Sequence, residues 1–205
     1  MASMVIHLAV ANEINKKLKK DDTKLLTGSI APDIAKIVGM SKNISHFIYD
    51  EEDIPNLEKF LNKYDNYLND DFVLGYYIHL YTDYLWYKYF ISEVLTEKEI
   101  IKKDGKVVKL NGEMARLYIY NDYTNLNIQL INKFNLNLSF LNNKFEIKSV
   151  IEEIPIDEID KLYKAALDII DKTKLHTSFV FDIKDVCVFI ETATNLILAK
   201  LNELL

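Results

Sequence analysis

The run from Asp70 to Phe90, DDFVLGYYIHLYTDYLWYKYF, constrains this chain more than any other stretch. Phe72, Gly75, Tyr76, His79, Thr82, Asp83 and Trp86 recur at helical spacing. Asn69, Asp70 and Asp71 stand where a helix cap belongs. In a helix, His79 and Asp83 project from one face, one turn apart. An imidazole and a carboxylate in so apolar a run must be satisfied by something. Two answers stand open: a hydrogen-bonded pair inside a helical core, or a metal ion with the nitrogen and oxygen ligands typical of zinc. Gly75 costs about 1 kcal/mol of helix propensity relative to Ala. Close approach by another backbone, one turn before His79, is a reason to keep it.

The rest of the chain reads as further helices. Ile6, Val10, Ile14 and Leu18 give a first helix over 4–20, with His7 in its first turns and lysines 16, 17, 19 and 20 at its solvated end. From Lys24 to His46, Gly28, Pro32 and Gly39 break the period. Pro32 pushes Ala31 toward an extended shape. Asp33 then starts a short helix, where an acid in the first turn also suits the dipole. An acidic segment runs from Asp50 to Asp53. A helix spans 55–68, and Asp104-Gly105 marks a small β-hairpin or an irregular excursion near 99–110. Helix returns over 111–134, carrying Asp122 among aromatics. A linking segment with a short helix spans 135–153, and two last helices run from about 155 to 172 and from 182 or 183 to 205. No repeat and no long linker divides the 205 residues, so the expectation is all-α, a single multi-helix domain over 1–205.

Composition excludes several classes. Five Gly and three Pro are too few for a loop-rich all-β fold, and 13 Tyr with 10 Phe predict an aromatic core. A net charge of −6 argues against a nucleic-acid backbone as partner. The single cysteine, Cys187, permits no disulfide within the chain and reads as a small buried hydrophobe. The N-terminal residues lack the pattern of a signal peptide, and no run reaches the ~18 apolar residues of a membrane span. The expected location is cytoplasmic.

Three of the four histidines, His7, His46 and His79, fall in the first 83 residues with Asp33 and Asp83. The fourth, His176, follows a helix end and reads as a dipole partner or surface residue. The order is a His on a first helix, an Asp in a Gly/Pro loop, a His after it, then His-x-x-x-Asp on a long helix. It is carried by IHLAVANEI, TGSIAPDIA, SKNISHF and GYYIHLYTDYLW, within residues 4–90. In these pieces the chain resembles the zinc-dependent phospholipase C family, in particular its compact, unsecreted hydrolases. The resemblance implies a helical fold of that type with one or two zinc ions, or another first-row divalent metal. It implies one ion on Asp33, His46, His79 and Asp83, and a neighbour sharing Asp83 with His7. It implies hydrolysis of a phosphate ester or phospholipid by metal-bound hydroxide. The family's secreted enzymes ligate a metal with their processed N-terminal residue, whereas six residues precede His7 here. They also complete a third metal site with later histidines, and none lies between Asp83 and His176. Asp122 is the candidate replacement ligand or base, against the alternative that it only hydrogen-bonds Tyr or Asn side chains. Tyr76 and Trp86 are candidate substrate-binding residues, with Tyr77 and Tyr84 open to the same role.

Two other functions compete with the hydrolase: a helical binding protein with a closed, structural metal site, and a partner-binding module with no metal. A His-Asp-domain phosphohydrolase needs an adjacent His-Asp pair, which the chain lacks. Single-strand-specific zinc nucleases need a fuller ligand set.

Overall fold

A computed structural model describes residues 1–49, 54–96, 98–142 and 146–205. The acidic segment 50–53 and part of the 135–153 link lie outside the described residues. The architecture is mainly helical, as the residue periods predict. Helix α1 (Met4–Leu18) starts at Ser3, whose hydroxyl accepts from the Ile6 N–H. It ends two residues earlier than expected because Lys19 turns left-handed, at φ 57°. Helix α6 (Asp71–Leu85) is capped by Asp70, which accepts from the N–H groups of Phe72 and Val73. Every residue from Phe72 to Leu80 is buried, so α6 is a core helix on all sides and not only along the expected stripe. Beyond Leu85 the helix continues as one wide π turn, Trp86–Phe90.

The stretch between α1 and α6 departs from the sequence reading. Residues Asp22–Gly28 form a further helix, α2, and Gly28 is its last residue, not a break. Gly28 and Gly75 let α2 and α6 touch backbone to backbone. A Cβ on Gly75 would sit 2.1 Å from the Leu25 carbonyl oxygen, and one on Gly28 would sit 2.1 Å from that of Phe72. The close approach expected at Gly75 is therefore real, and its partner is the glycine that looked like punctuation. Ala31 is not extended. It opens a tight turn, Ala31–Asp33, closed by the Asp33 N–H on the Ile30 carbonyl. The tertiary reason is burial: Ile30, Ala31 and Ile34 all enter the core, which outweighs the local preference before proline. Two one-turn helices follow, α3 (Ile34–Ile37) and α4 (Lys42–Ser45).

Helix α5 (Leu57–Tyr64) starts at Asn56 and buries Phe60 and Tyr64. The hairpin forms as read: β1 (Glu99–Ile101) pairs antiparallel with β2 (Val107–Lys109), and Gly105 supplies the turn at φ +79°. The predicted 111–134 helix is interrupted. Helix α7 (Gly112–Ala115) widens into a π turn at Arg116–Tyr120 before α8 (Asn121–Phe134). Helix α9 covers Ile159–Asp171. The last, α10 (Ile183–Leu204), opens with a capping box between Asp182 and Asp185. Its face of Val186, Ile190, Ala193, Ile197 and Leu201 is buried as predicted. Cys187 is only half-buried, beside that face. Helix α1 lies against α6, α8 and α10, and the buried side chains make one continuous core. Among the described residues no helix is long and apolar enough to cross a membrane.

Candidate metal centre

Four separate segments bring the predicted ligands together. The first turn of α1 delivers His7, the 31–33 turn delivers Asp33, the end of α4 delivers His46, and α6 delivers His79 and Asp83. All except Asp33 are at most 1% exposed; the Asp33 side chain is 16% exposed and forms the outer edge of the cluster. Asp33 stands at the start of α3, where an acid suits the dipole as read, but its side chain makes no capping hydrogen bond.

The ligand atoms lie close enough together to share an ion. His46 Nε2 lies 3.2 Å from His79 Nε2, 3.8 Å from Asp33 Oδ1 and 3.8 Å from Asp83 Oδ2. His79 Nε2 lies 3.7 Å from the same Asp83 oxygen. Ligands around a tetrahedral ion with bonds of ~2.0–2.1 Å stand about 3.3 Å apart. On the other side, His7 Nε2 is 3.3 Å from Asp83 Oδ1, and the His7 and His79 rings stack at 3.7 Å. Two groups could thus hold a metal ion: Asp33, His46 and His79, and His7, His79 and Asp83.

Hydrogen bonds orient the rings. His79 Nδ1 lies 2.8 Å from the Ser29 carbonyl, and His46 Nδ1 lies 3.1 Å from the Lys42 carbonyl and 2.9 Å from the Ser45 hydroxyl. A carbonyl only accepts, so the tautomer that satisfies both carbonyls carries the proton on each Nδ1. In that tautomer both Nε2 atoms present lone pairs to each other across 3.2 Å. Metal-ligating histidines are held in this way, with the second nitrogen on a backbone carbonyl. Asp83 Oδ2 and both nitrogens of His7 are buried without a hydrogen-bond partner among the described residues. Asp83 Oδ1 accepts from the Ala2 N–H at 2.8 Å. A buried hydrogen-bonded pair, the alternative for His79 and Asp83, is not what forms: their nearest contact is 3.7 Å, beyond hydrogen-bond reach.

Burial sets the charge states. It pushes His46 down, and burial with the neighbouring His7 pushes His79 well below the ordinary imidazole value. Burial raises the Asp33 carboxyl against the pull of His46 and His7. Burial would also raise Asp83, but the neighbouring His7 and the N-terminal ammonium hold it below the usual carboxylate range. A pH dependence follows. The unfolded chain gains a proton on each ring as pH falls through about 6.5, while folded His46 and His79 stay neutral. The unfolded state then binds more protons, and stability falls with pH by up to about 1.4 kcal/mol per unit for each ring. Asp33, protonated more readily in the fold, opposes part of this slope. Metal-free protein is expected to lose stability between pH 7 and 5.5 in urea titrations. A flat profile would show that the rings take up protons in the fold as they do in the unfolded chain.

The other candidate residues lie elsewhere or serve differently. Asp122 is fully buried, and its carboxylate accepts from the backbone N–H groups of Phe179, Val180 and Phe181 at 2.8, 2.7 and 3.1 Å. Its oxygens hold the segment before α10, and it belongs to neither ligand group. Asp122→Ala is expected to cost about 2–3 kcal/mol of stability and to leave metal content unchanged, as unfolding and elemental analysis will show. Trp86 is unexposed, packed against Phe90, Tyr123, Phe181 and Phe189, so it cannot touch a substrate. Tyr76 is likewise unexposed; its hydroxyl donates to the Ser45 carbonyl and its ring stacks on Phe60. It positions the turn that carries His46. Tyr77 is buried too, and Tyr84 is half-buried. His176 sits away from the cluster, with Nε2 2.7 Å from the Asn121 carbonyl.

The orienting groups were not readable in advance. The carbonyls of Ser29 and Lys42 and the Ala2 N–H are main-chain atoms that any residue supplies. The one signal for them was Gly75, which marked where α2 would bring Ser29 against His79. Comparison with family models, with curated proteins and with solved structures finds no match for this chain.

Proposed function

We propose that the cluster is a divalent-metal centre of the zinc type, and that the chain is a metal-dependent hydrolase of phosphate esters resembling the phospholipase C-like hydrolases. The observation that supports this most is the facing pair of Nε2 lone pairs on His46 and His79, beside a buried Asp83 oxygen that no donor reaches. Three imidazole nitrogens and two carboxylates suit zinc, and also iron or manganese. Asp83 directs one oxygen toward His7 and the other toward His46 and His79, the disposition a carboxylate needs to span two ions. When bound, the ion supplies Lewis acidity toward a phosphoryl oxygen and a more acidic water. The chain's own residues do the rest. Ser29 and Lys42 fix the two rings, Asp83 supplies compensating charge, and Asp33 stands at the edge where an ester would approach.

One observation favours a second reading, a structural metal. Four of the five ligand residues are at most 1% exposed, and a closed shell is the mark of a structural site. The two readings divide on activity. Zinc-loaded protein is to be offered chromogenic phosphomonoesters and phosphodiesters beside its His46→Ala variant. Turnover by the parent, reduced at least a thousandfold in the variant, is the expected result. No turnover by fully loaded protein would sink the hydrolase and leave the structural metal.

A further inference from the structure

Of the segments that bring ligands to the cluster, the one carrying His46 is built least like the others. His7 stands in α1, and His79 and Asp83 stand in α6, both long helices of the core. Asp33 is followed at once by the buried Ile34 and Ala35. His46 ends a helix of one turn, α4, and a single turn does not hold itself in water. The chain enters this segment through Gly39, at φ +76°. Exposed side chains follow, with Met40 39% and Ile44 51% in water.

The turn at His46 is strained. The Phe47 N–H donates to the Ile44 carbonyl at 3.2 Å, and the Ile48 N–H donates to the Asn43 carbonyl at 2.9 Å. Such a pair of bonds closes a helix on a left-handed residue, usually glycine. Here that residue is Phe47, at φ 54°. A bulky side chain is an outlier in this region, and the surrounding structure must hold it there. The hold is visible. The Phe47 ring is 2% exposed and meets Phe60 and Tyr64 edge-on, at 5.3 and 6.3 Å. Its carbonyl accepts from the Asn56 N–H at 2.9 Å, and the Tyr76 hydroxyl donates to the Ser45 carbonyl.

This turn aims the His46 ring inward, where its Nε2 faces that of His79 across 3.2 Å. An ion between them rewards the approach. Without one, the facing lone pairs and the left-handed Phe47 both favour release. A segment with a glycine at one end and ring packing at the other can move as a unit while α1 and α6 stay in place. The centre also needs a way in, since His7, His46, His79 and Asp83 are all at most 1% exposed.

We propose that residues 40–48 form a latch that carries His46 on and off the ion. It is hinged at Gly39 and caught by two positioning residues, Phe47 and Tyr76, and its opening is the route by which the metal enters and leaves. The proposal rests on the metal-centre reading and extends it to exchange: the ion leaves at the rate at which the latch opens. Asp33, with its side chain 16% exposed, is the ligand that an incoming ion meets first.

The test uses the full chain and zinc alone. Hydrogen exchange reads the latch directly. In metal-free protein the amides of His46, Phe47 and Ile48 are expected to exchange at least a hundredfold faster than those of Ile78, His79 and Leu80 in α6, and zinc is expected to slow them at least tenfold. Release of zinc to excess chelator in a stopped-flow cell reads the catch. Phe47→Ala is expected to speed release at least tenfold, and Tyr76→Phe at least threefold. Leu201→Ala, a core truncation near the far end of α10, removes stability without touching the latch and is expected to leave release within twofold. Latch amides as slow as those of α6 in metal-free protein overturn the proposal. So does release sped as much by Leu201→Ala as by Phe47→Ala. Zinc that binds but leaves both latch variants at the parent rate removes the latch alone. A chain that takes up no zinc removes the metal centre, and the latch with it.

Discussion

Stripping divalent metal from the purified chain with a chelator is expected to lower its melting temperature by about 8–16 °C. The reasoning is linkage. An ion that binds only the folded state at a thousand times its dissociation constant adds about 4 kcal/mol, and each kcal/mol moves a domain of this size by about 2–4 °C. Removing the ion also restores the repulsion between the facing His46 and His79 nitrogens and leaves Asp83 Oδ2 buried without a partner. His79→Ala takes out the residue shared by both ligand groups. It is expected to purify without metal and to show no response to chelator. Elemental analysis beside calorimetry decides the matter, on protein carrying no histidine-rich tag. If the parent holds no first-row metal even after incubation with zinc, the metal centre is wrong and the three imidazoles need another explanation.

Gly75→Ala is expected to destabilise the chain by about 3 kcal/mol or more. The sign is what makes the experiment informative. In an exposed helix interior the same change stabilises by about 1 kcal/mol. Here the new methyl group would lie 2.1 Å from the Leu25 carbonyl oxygen and 2.9 Å from the Ser29 nitrogen, both backbone atoms in a helix that cannot rotate aside. Helices α2 and α6 must then part by about 1 Å to restore ordinary contact distances. That motion draws the Ser29 carbonyl off His79 Nδ1, and loss of such an orienting bond typically costs tenfold or more in metal affinity. Urea unfolding and a zinc competition titration measure the two effects separately. Gly28→Ala meets the Phe72 carbonyl at the same distance and is expected to behave alike.

Much of this was legible in the residues. Helical periods located α1, α6, α9 and α10, because each buries a continuous apolar face and little else in the local sequence competes. Asp104-Gly105 announced the hairpin turn, since that position needs a positive φ. His79 and Asp83 stood out because an imidazole and a carboxylate are costly to bury, so their company in an apolar run needs a cause; His7, Asp33 and His46 joined them only through the resemblance that their order carries. What failed was fixed by distant packing. Trp86 and Tyr76 looked suited to line a pocket, yet which way an aromatic points from an all-round buried helix depends on α5 and α10, more than a hundred residues apart. Asp122 looked catalytic for the same reason that it is structural: a buried carboxylate needs donors, and the sequence cannot say that they are three consecutive backbone N–H groups fifty-seven and more residues onward. The glycine at 28 read as an end when it was a contact, because a break and a crossing leave the same letter.

The close crossing of α2 and α6 also bears on the order in which the chain acquires its parts. Asp33, His46, His79 and Asp83 are all delivered by the time residue 83 has been made, and the glycine crossing that aligns them joins segments within the same stretch. His7 is different. Its helix, α1, is clasped by α8 and α10, which begin more than a hundred residues later in the chain. The half of the centre built on α6 can therefore assemble early on a growing chain, while the half that needs His7 waits for α8 and α10. An ion captured at the first half would act as a template around which the C-terminal helices close, and refolding after chelation would proceed without that guide.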